Sequence, residues 1–124
     1  MRSGAAGRVY AGGAVFRVIQ PRRATPDDID QLIRVRSAVQ ENRLRDPASV
    51  TRADYVWFVK QGHIWLTEVG GDVAGFAAGN PRDGTIWAMF VDPRFEGAGL
   101  GANLLAKVCD DLRADGHTVL YLST

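Results

Sequence analysis

Three glycines at alternate positions follow a short turn in the second half of this 124-residue chain. Gly97, Gly99 and Gly101 stand after the apolar segment Ile86 to Val91 and before a helical pattern. Glycines with this spacing leave successive backbone N–H groups open at a helix start, where the helix dipole also favours negative charge. The segment therefore predicts a loop that holds a phosphate or a pyrophosphate.

Two common phosphate loops fit this segment poorly. A P-loop needs a Lys followed by Ser or Thr after its glycines, and neither follows Gly101. Residues 97–102 match the dinucleotide fingerprint G-x-G-x-x-A in letters. In that fingerprint, however, the first glycine directly ends the opening strand of the fold. Here five residues separate Val91 from Gly97, and three strands are predicted before the one that leads into the loop.

One strand and two helices are predicted in the first half of the chain. The strand spans residues 16–23 and contains Pro21, which is typical of an edge or a bulge. The first helix is expected to end near residues 42–44, and a break at Asp46-Pro47 separates it from the second. The residues that predict the helix ends are Thr25, Pro26 and Asp28 for the first helix, and Thr51, Asp54 and Gly62 for the second.

Strands dominate the second half. Apolar segments at 64–69 and 73–78 flank Gly70-Gly71, a two-residue hairpin signal that predicts antiparallel neighbours. A strand at 85–91 leads into the glycine loop, and leucines at three- and four-residue spacing then predict a helix. The last strand, 118–122, should lie parallel to 85–91 through a right-handed crossover. The predicted fold class is therefore α/β, with a mixed, largely antiparallel sheet and flanking helices.

The segment from Val91 to Leu105 closely resembles motif A of the GNAT superfamily of N-acetyltransferases. The family pattern is Val-Asp-Pro, an aromatic residue, then Gln/Arg-x-x-Gly-x-Gly/Ala and a helix. The string from Arg22 to Asp28 and the strand-turn-strand from Trp65 to Phe76 are also similar to family members. The resemblance covers residues 17–124 and implies a GNAT-like acetyl-CoA-binding domain there. Glycines and the lack of a continuous apolar segment predict a flexible arm at 1–16.

The resemblance implies acetyl-coenzyme A as the acetyl donor. Backbone N–H groups of the loop would hold its pyrophosphate, and the backbone of the preceding strand would bond its pantetheine arm. The loop departs from the family pattern at Glu96, where Gln or Arg is usual, and at Ala98, which is often Arg or Lys. The expected donor-binding residues are Met89, Phe90, Val91, Glu96, Gly97, Ala98, Gly99, Leu100, Gly101 and Ala102.

Family members continue beyond the strand that follows the motif A helix. The resemblance therefore implies a GNAT fold that lacks the last helix and strands, including the Tyr that commonly protonates the leaving thiolate. Tyr121 is the candidate proton donor in its place, with packing in the sheet as the simpler interpretation. Glu41 is the candidate general base and Asn42 a candidate acceptor-binding residue, against a solvated helix end.

Other side chains that could do chemistry have simpler interpretations. Trp87 is expected to be a core aromatic or to line the acceptor pocket, and Glu68 to form a cross-strand ion pair or act as a base. Cys109 is expected to be a buried helix residue. No cluster at metal-ligand spacing surrounds either histidine, so no metal is predicted. A solvated surface position is predicted for His63, His117, Arg34, Arg36, Arg43 and Arg45.

Composition limits the class of partner. The formal net charge of +1 gives no overall field that would attract nucleic acid or a membrane surface. The single cysteine excludes an intramolecular disulfide and fits a reducing cytoplasm. We expect a cytoplasmic enzyme that moves an acetyl group from acetyl-CoA to an amine of a small molecule or peptide by direct attack. The alternative is a catalytically weak CoA-binding or interaction module, and the edge of the last strand predicts a homodimer.

Overall fold

A seven-stranded mixed sheet and three α-helices make up the computed structural model, which describes residues 5–11, 14–41, 50–117 and 121–122. The strands are β1 Ala5–Ala11, β2 Ala14–Ile19, β3 Arg22–Arg23, β4 Ile64–Val69, β5 Asp72–Gly79, β6 Thr85–Val91 and β7 Tyr121–Leu122. The helices are α1 Ile29–Glu41, α2 Arg52–Gln61 and α3 Leu100–Ala114.

The sheet has the strand order β1-β2-β4-β5-β6-β7, with β3 also paired to β4. Every pair is antiparallel except β6–β7, which is parallel and joined through α3. Thr85 lies opposite Tyr121 and Ile86 opposite Leu122 in that pair. The predicted mixed, largely antiparallel sheet with flanking helices is confirmed, including the crossover that follows the glycine loop.

Pro21 divides the strand predicted at 16–23. β2 ends at Ile19 and β3 begins at Arg22, and both pair antiparallel with β4. Proline has no backbone N–H to donate to a neighbouring strand, so the ladder is interrupted there.

The segment before residue 17 differs from the predicted arm. β1 pairs antiparallel with β2, and Ala11 lies opposite Ala14. Gly12-Gly13 therefore stands in the sequence between two paired strands, as Gly70-Gly71 does between β4 and β5. The glycines that suggested an arm are equally a hairpin signal when apolar segments flank them. The boundary of the acetyl-CoA-binding domain at residue 17 stays a prediction.

Both predicted helix starts are confirmed. The backbone N–H of Thr25 donates to the Asp28 carboxylate at 2.8 Å, within a short 3₁₀ turn that leads into α1. The backbone N–H of Thr51 donates to the Asp54 carboxylate at 2.8 Å and opens α2. Gly62 ends α2 with a left-handed backbone conformation. The predicted end of the first helix near 42–44 lies outside the described residues.

The two faces of the sheet carry different helices. One face packs against α1 and α2, and the other against α3. None of the helices in the described part of the chain is long and apolar enough to cross a membrane. The core between the sheet and the helices α1 and α2 includes Ile29, Leu32, Val35, Tyr55, Phe58, Leu66 and Phe76. The core between the sheet and α3 consists of Ala77, Ile86, Leu104, Val108 and Leu112.

Candidate functional site

Asp92 organises the turn that ends β6. Its residue surface is only 3% exposed. Its backbone N–H donates to the Ala74 carbonyl at 2.7 Å, and its own carbonyl accepts from the Phe95 N–H at 2.8 Å. Its side-chain carboxylate accepts from the Arg94 backbone N–H at 3.0 Å. These bonds close the Val-Asp-Pro turn tightly against β5.

Two arginines neutralise the buried carboxylate. Arg94 donates to it at 2.9 Å from within the turn, and Arg34 of α1 donates to it at 3.1 Å. Burial alone would raise the pKa of the Asp92 carboxyl, but hydrogen bonds from Arg94 and Arg34 bring it below its ordinary value. The prediction that Arg34 is simply solvated was wrong, because its partner lies 58 residues away in sequence.

Phe95 fixes the far side of the turn. Its ring is buried with Val69, Ala74 and Leu100, so the chain on both sides of the loop is held by the core. The next residues are exposed, and Gly97 and Gly99 have φ angles of 84° and 81°. This left-handed region favours glycine because it lacks a Cβ. A Cβ built on either glycine would meet no atom within 4 Å, so the loop faces open space.

The N-terminus of α3 presents unbonded backbone donors. The first hydrogen bond there runs from the Asn103 N–H to the Gly99 carbonyl, at 3.5 Å. None of the hydrogen bonds among the described residues uses the backbone N–H groups of residues 97–102. Free N–H groups at a helix start, together with the helix dipole, form a site for an anion such as a phosphate.

A β-bulge divides β6 at Trp87. Ala78 lies opposite Ala88, whereas Gly79 lies opposite Ile86, so Trp87 is the extra residue. Within the described residues, β7 pairs with β6 only before the bulge, at positions 85 and 86. From 89 to 91, β6 pairs with β5 on one side, and no described strand lies on the other.

This free strand edge lies next to the glycine loop. A Cβ on Gly101 would lie 3.9 Å from the Met89 sulfur and 3.7 Å from a Val91 methyl group. A backbone edge can hydrogen-bond an extended ligand in the way that a neighbouring strand would. The predicted donor-binding segments, 89–91 and 96–102, are therefore brought together by the fold.

Trp87 and Glu68 make structural contacts. Trp87 stacks on Phe58 with ring centroids 4.1 Å apart and meets Tyr55 edge to face at 5.4 Å. Trp87 therefore packs as a core aromatic, and its role in acceptor binding stays a prediction. Glu68 accepts from Arg22 at 2.8 Å, which confirms the predicted ion pair.

The candidate catalytic side chains are not described. Tyr121 lies in β7 by its backbone, opposite Thr85, but its side chain is outside the described residues. The Glu41 side chain and all of Asn42 are outside them as well, as are Arg43 and Arg45. The proposed roles of Glu41, Asn42 and Tyr121 therefore stay predictions.

Three other expectations about side chains were wrong. His63 bonds the Asp115 carboxylate at 2.7 Å, and His117 bonds the Pro81 carbonyl at 2.8 Å; both are half-buried instead of solvated. Cys109 is half-buried and not fully enclosed. The histidine partners are distant in sequence, so local pattern gives no sign of them. Within the described ranges, no group of three His, Cys, Asp or Glu side chains could hold a metal ion.

Comparison with known proteins identifies the family. A model described as "Acetyltransferase (GNAT) family" matches residues 28–124. The chain belongs to the GNAT acetyltransferase family. An uncharacterized N-acetyltransferase of Archaeoglobus fulgidus is 30% identical over 105 residues, which cover 72% of this chain and 70% of that protein. The family predicted from motif A is confirmed, and with it the acetyltransferase class and acetyl-CoA as the donor.

Solved structures share the fold at low identity. A GCN5-related N-acetyltransferase from Kribbella flavida superposes with a TM-score of 0.66 at 22% identity, over 85% of this chain and 29% of that one. The yncA protein of Salmonella typhimurium, solved with its cofactor acetyl-CoA, gives a TM-score of 0.65 at 20% identity, over 81% of this chain and 66% of its own. The GNAT chain thus spans less than two thirds of either protein.

Proposed function

We propose that this GNAT chain transfers the acetyl group of acetyl-CoA to an amine of a small molecule or peptide. One observation carries the proposal: the N–H groups of residues 97–102 are unbonded at the start of α3, beside an edge of β6 on which no described strand lies. This pairing of an anion site with an extended-chain site suits a ligand with a pyrophosphate and a pantetheine arm.

Donor binding would rest on the backbone. The N–H groups from Glu96 to Ala102 would hold the pyrophosphate, and the strand Met89–Val91 would bond the pantetheine amides. Neither Glu96 nor Ala98 supplies a cation, so the proposed contacts are mostly those of main-chain donors. Gly101 supports this arrangement, because its place in α3 costs helix stability but leaves room beside β6.

The reaction would be a direct transfer. The amine nitrogen attacks the thioester carbonyl carbon, a C–N bond forms, and the C–S bond breaks as the thiolate leaves. Glu41 would accept the proton lost by the amine through a water molecule, and the Tyr121 hydroxyl would give a proton to the thiolate. Asn42 and Trp87 would position the acceptor so that the two reacting atoms meet.

Titration calorimetry with acetyl-CoA tests the donor site. We expect saturable binding, and the absence of saturation at millimolar ligand would contradict the proposal. A free-thiol assay over a panel of amines then tests transfer. Turnover with at least one amine supports the enzyme, whereas binding without turnover favours the catalytically weak CoA-binding module.

Variants at the candidate catalytic positions refine that assay. We expect Glu41→Gln and Tyr121→Phe each to lower turnover by about 100-fold, which is the lower end for lost acid–base catalysis. Their dissociation constants for acetyl-CoA should stay within about twofold of the parent, since neither side chain is assigned to donor binding. Equal turnover in either variant would remove that residue from the mechanism.

A homodimer formed through β7 is the further assembly that we propose. β7 pairs with β6 on one side, and no described strand lies on its other side, which leaves an edge that a second copy could pair with. Light scattering on a sizing column would show either a dimer or a monomer.

We also place the enzyme in the cytoplasm, which its single cysteine supports, with neither nucleic acid nor a membrane as a partner.

A further inference from the structure

Arg34 joins three parts of the fold through one guanidinium group. Its Nη1 donates to the Asp92 carboxylate at 3.1 Å, and its Nη2 donates to the Val73 carbonyl at 2.7 Å. Its Nε donates to Gln31 one turn earlier in α1 at 3.0 Å, which orients the side chain. Helix α1, strand β5 and the turn after β6 therefore meet at this residue.

The acceptors of Arg34 explain why an arginine stands there. Asp92 is buried, so its charge needs a partner within the protein. The Val73 carbonyl is a second acceptor beside it, and a planar guanidinium can reach both acceptors with separate N–H groups. An ammonium group is a single point of charge, so lysine would satisfy the two acceptors less well.

Arg94 provides an internal comparison. It also donates to Asp92, but it lies two residues away in the same turn and its side chain is 55% exposed. Arg94 also lies 4.0 Å from the Asp72 carboxylate of β5, so it neutralises Asp92 without attaching the turn to α1. Only Arg34, among the described contacts of Asp92, connects the turn to the helix on the other side of the sheet from α3.

We propose that Arg34 is a positioning residue for the acetyl-CoA loop, which it holds in place through Asp92 and the Val-Asp-Pro turn. The bonds of Asp92 to Ala74 and Phe95 set the path of the chain into Gly97. Loss of the Arg34 contacts would therefore loosen the turn from which the glycine N–H groups follow. This inference rests on the proposed function, because it concerns the same donor site.

The experiment compares Arg34→Gln with Arg94→Gln as a matched control. We expect Arg34→Gln to raise the dissociation constant for CoA about 10-fold, a typical size for lost coupling, and Arg94→Gln to change it by less than about twofold. Arg34→Lys should recover part of the affinity. Calorimetry is done at a temperature where circular dichroism shows every variant fully folded, so that a loss of stability is not counted as a loss of binding.

Amide NMR gives a readout that a purely structural role would not change. In Arg34→Gln, the resonances of Gly97 and Gly99 should shift or broaden, while Gly62, at the far end of α2, should not. If Arg34→Gln fails to fold, Arg34→Lys carries the test with an expected loss of about threefold, smaller because lysine keeps one contact.

The outcomes separate this inference from the proposed function. If the parent chain does not bind CoA, the proposed function fails. If the parent binds and Arg34→Gln binds equally well with unchanged glycine resonances, the positioning role is overturned while the proposed function stands. If Arg94→Gln weakens CoA binding as much as Arg34→Gln does, the loss of a positive charge beside Asp92 is enough to explain the weaker binding. The attachment of the turn to α1 is then not its cause, and the positioning role is overturned.

Discussion

The two ends of α3 are built in opposite ways. At the N-terminal end, Gly99 is the N-cap, no side chain caps the helix, and the preceding loop is open to solvent. At the C-terminal end, side chains from distant strands bind the helix. A helix fixed at one end can keep unsatisfied donors in place at the other, which a binding site for an external anion requires.

The C-terminal end of α3, the closed end, is held by packing and by charge. A Cβ on Gly79 of β5 would lie only 2.7 Å from Val108, so the helix approaches the sheet as closely as a glycine allows. The Asp111 carboxylate accepts from Nη1 and Nη2 of Arg23 and, at 2.8 Å, from the Trp65 indole N–H. The contrast predicts that substitutions at the two ends of this helix change stability and donor binding separately.

The largest effect is expected from Leu112→Ala at the closed end. Leu112 is fully buried beneath the helix. Its truncation should lower the free energy of unfolding by about 2–5 kcal/mol, as for other buried leucines. The dissociation constant for CoA, measured where the variant is folded, should stay within about twofold, since the loop is at the other end. Urea unfolding measures the loss of stability, and calorimetry measures the dissociation constant. A parallel loss of affinity for CoA would contradict the separation of the two ends.

Gly101 offers the opposite experiment at the open end. A leucine there would extend from a helix position toward Met89 and Val91, into the space proposed for the donor. We expect Gly101→Leu to weaken CoA binding by about 10-fold or more, corresponding to about 1.4 kcal/mol. Its stability should be equal or higher, because leucine favours helix by roughly 0.5–1 kcal/mol over glycine.

Gly101→Ala is the control for this substitution. The GNAT pattern accepts alanine at this position, and the added Cβ makes only ordinary contacts. Binding near that of the parent, with higher thermal stability, is therefore expected. If alanine and leucine weaken binding equally, the space beside β6 is not what Gly101 provides.

Acid pH should weaken the closed end. Burial alone would raise the pKa of the Asp111 carboxyl, but hydrogen bonds from Arg23 and Trp65 lower it below its ordinary value. The unfolded value is about 3.9, so the unfolded chain binds the proton first and the ionised group stabilises the fold above that pH. The free energy of unfolding should be level near neutrality and fall as the pH drops below about 5 toward the folded-state pKa.

Asp111→Asn should make this fall shallower in urea unfolding at pH 3 to 7. Asp110→Asn is the matched control, because the neighbouring Asp110 side chain is 73% exposed and, among the described residues, bonds only Arg113 of its own helix. If Asp111→Asn and the parent show the same pH dependence, the ion pair of Asp111 with Arg23 does not contribute to the loss of stability in acid.

The smallest effect is expected at Glu96. Its carboxylate is exposed in the loop where a pyrophosphate is proposed to bind. Glu96→Gln should tighten CoA binding by about twofold at low ionic strength, and the gain should shrink as salt screens the charge. Calorimetry at two salt concentrations measures this change. An unchanged affinity at both would mean that the phosphates lie further from Glu96 than proposed.

The sequence predicted most of the fold because its signals are local. The capping residues Thr25 and Thr51, the Gly70-Gly71 hairpin and the motif A loop each act within a few residues. The ion pair of Arg34 with Asp92 was missed, since it joins residues far apart and an arginine on a helix gives no sign of its partner. The bulge at Trp87 was missed as well, because β6 is apolar almost throughout and shows no alternation to interrupt.

That bulge makes β6 two half-strands that are out of phase by one residue. Ile86 packs toward α3, whereas Trp87 and Ala88 both join the cluster under α1 and α2. Because the alternation restarts there, Met89 falls on the side of Gly101. A regular strand with the same residues would turn Met89 to the opposite face. The number of residues in β6, more than their hydrophobicity, thus decides which side chains face the proposed donor site, and a one-residue insertion would exchange them all at once.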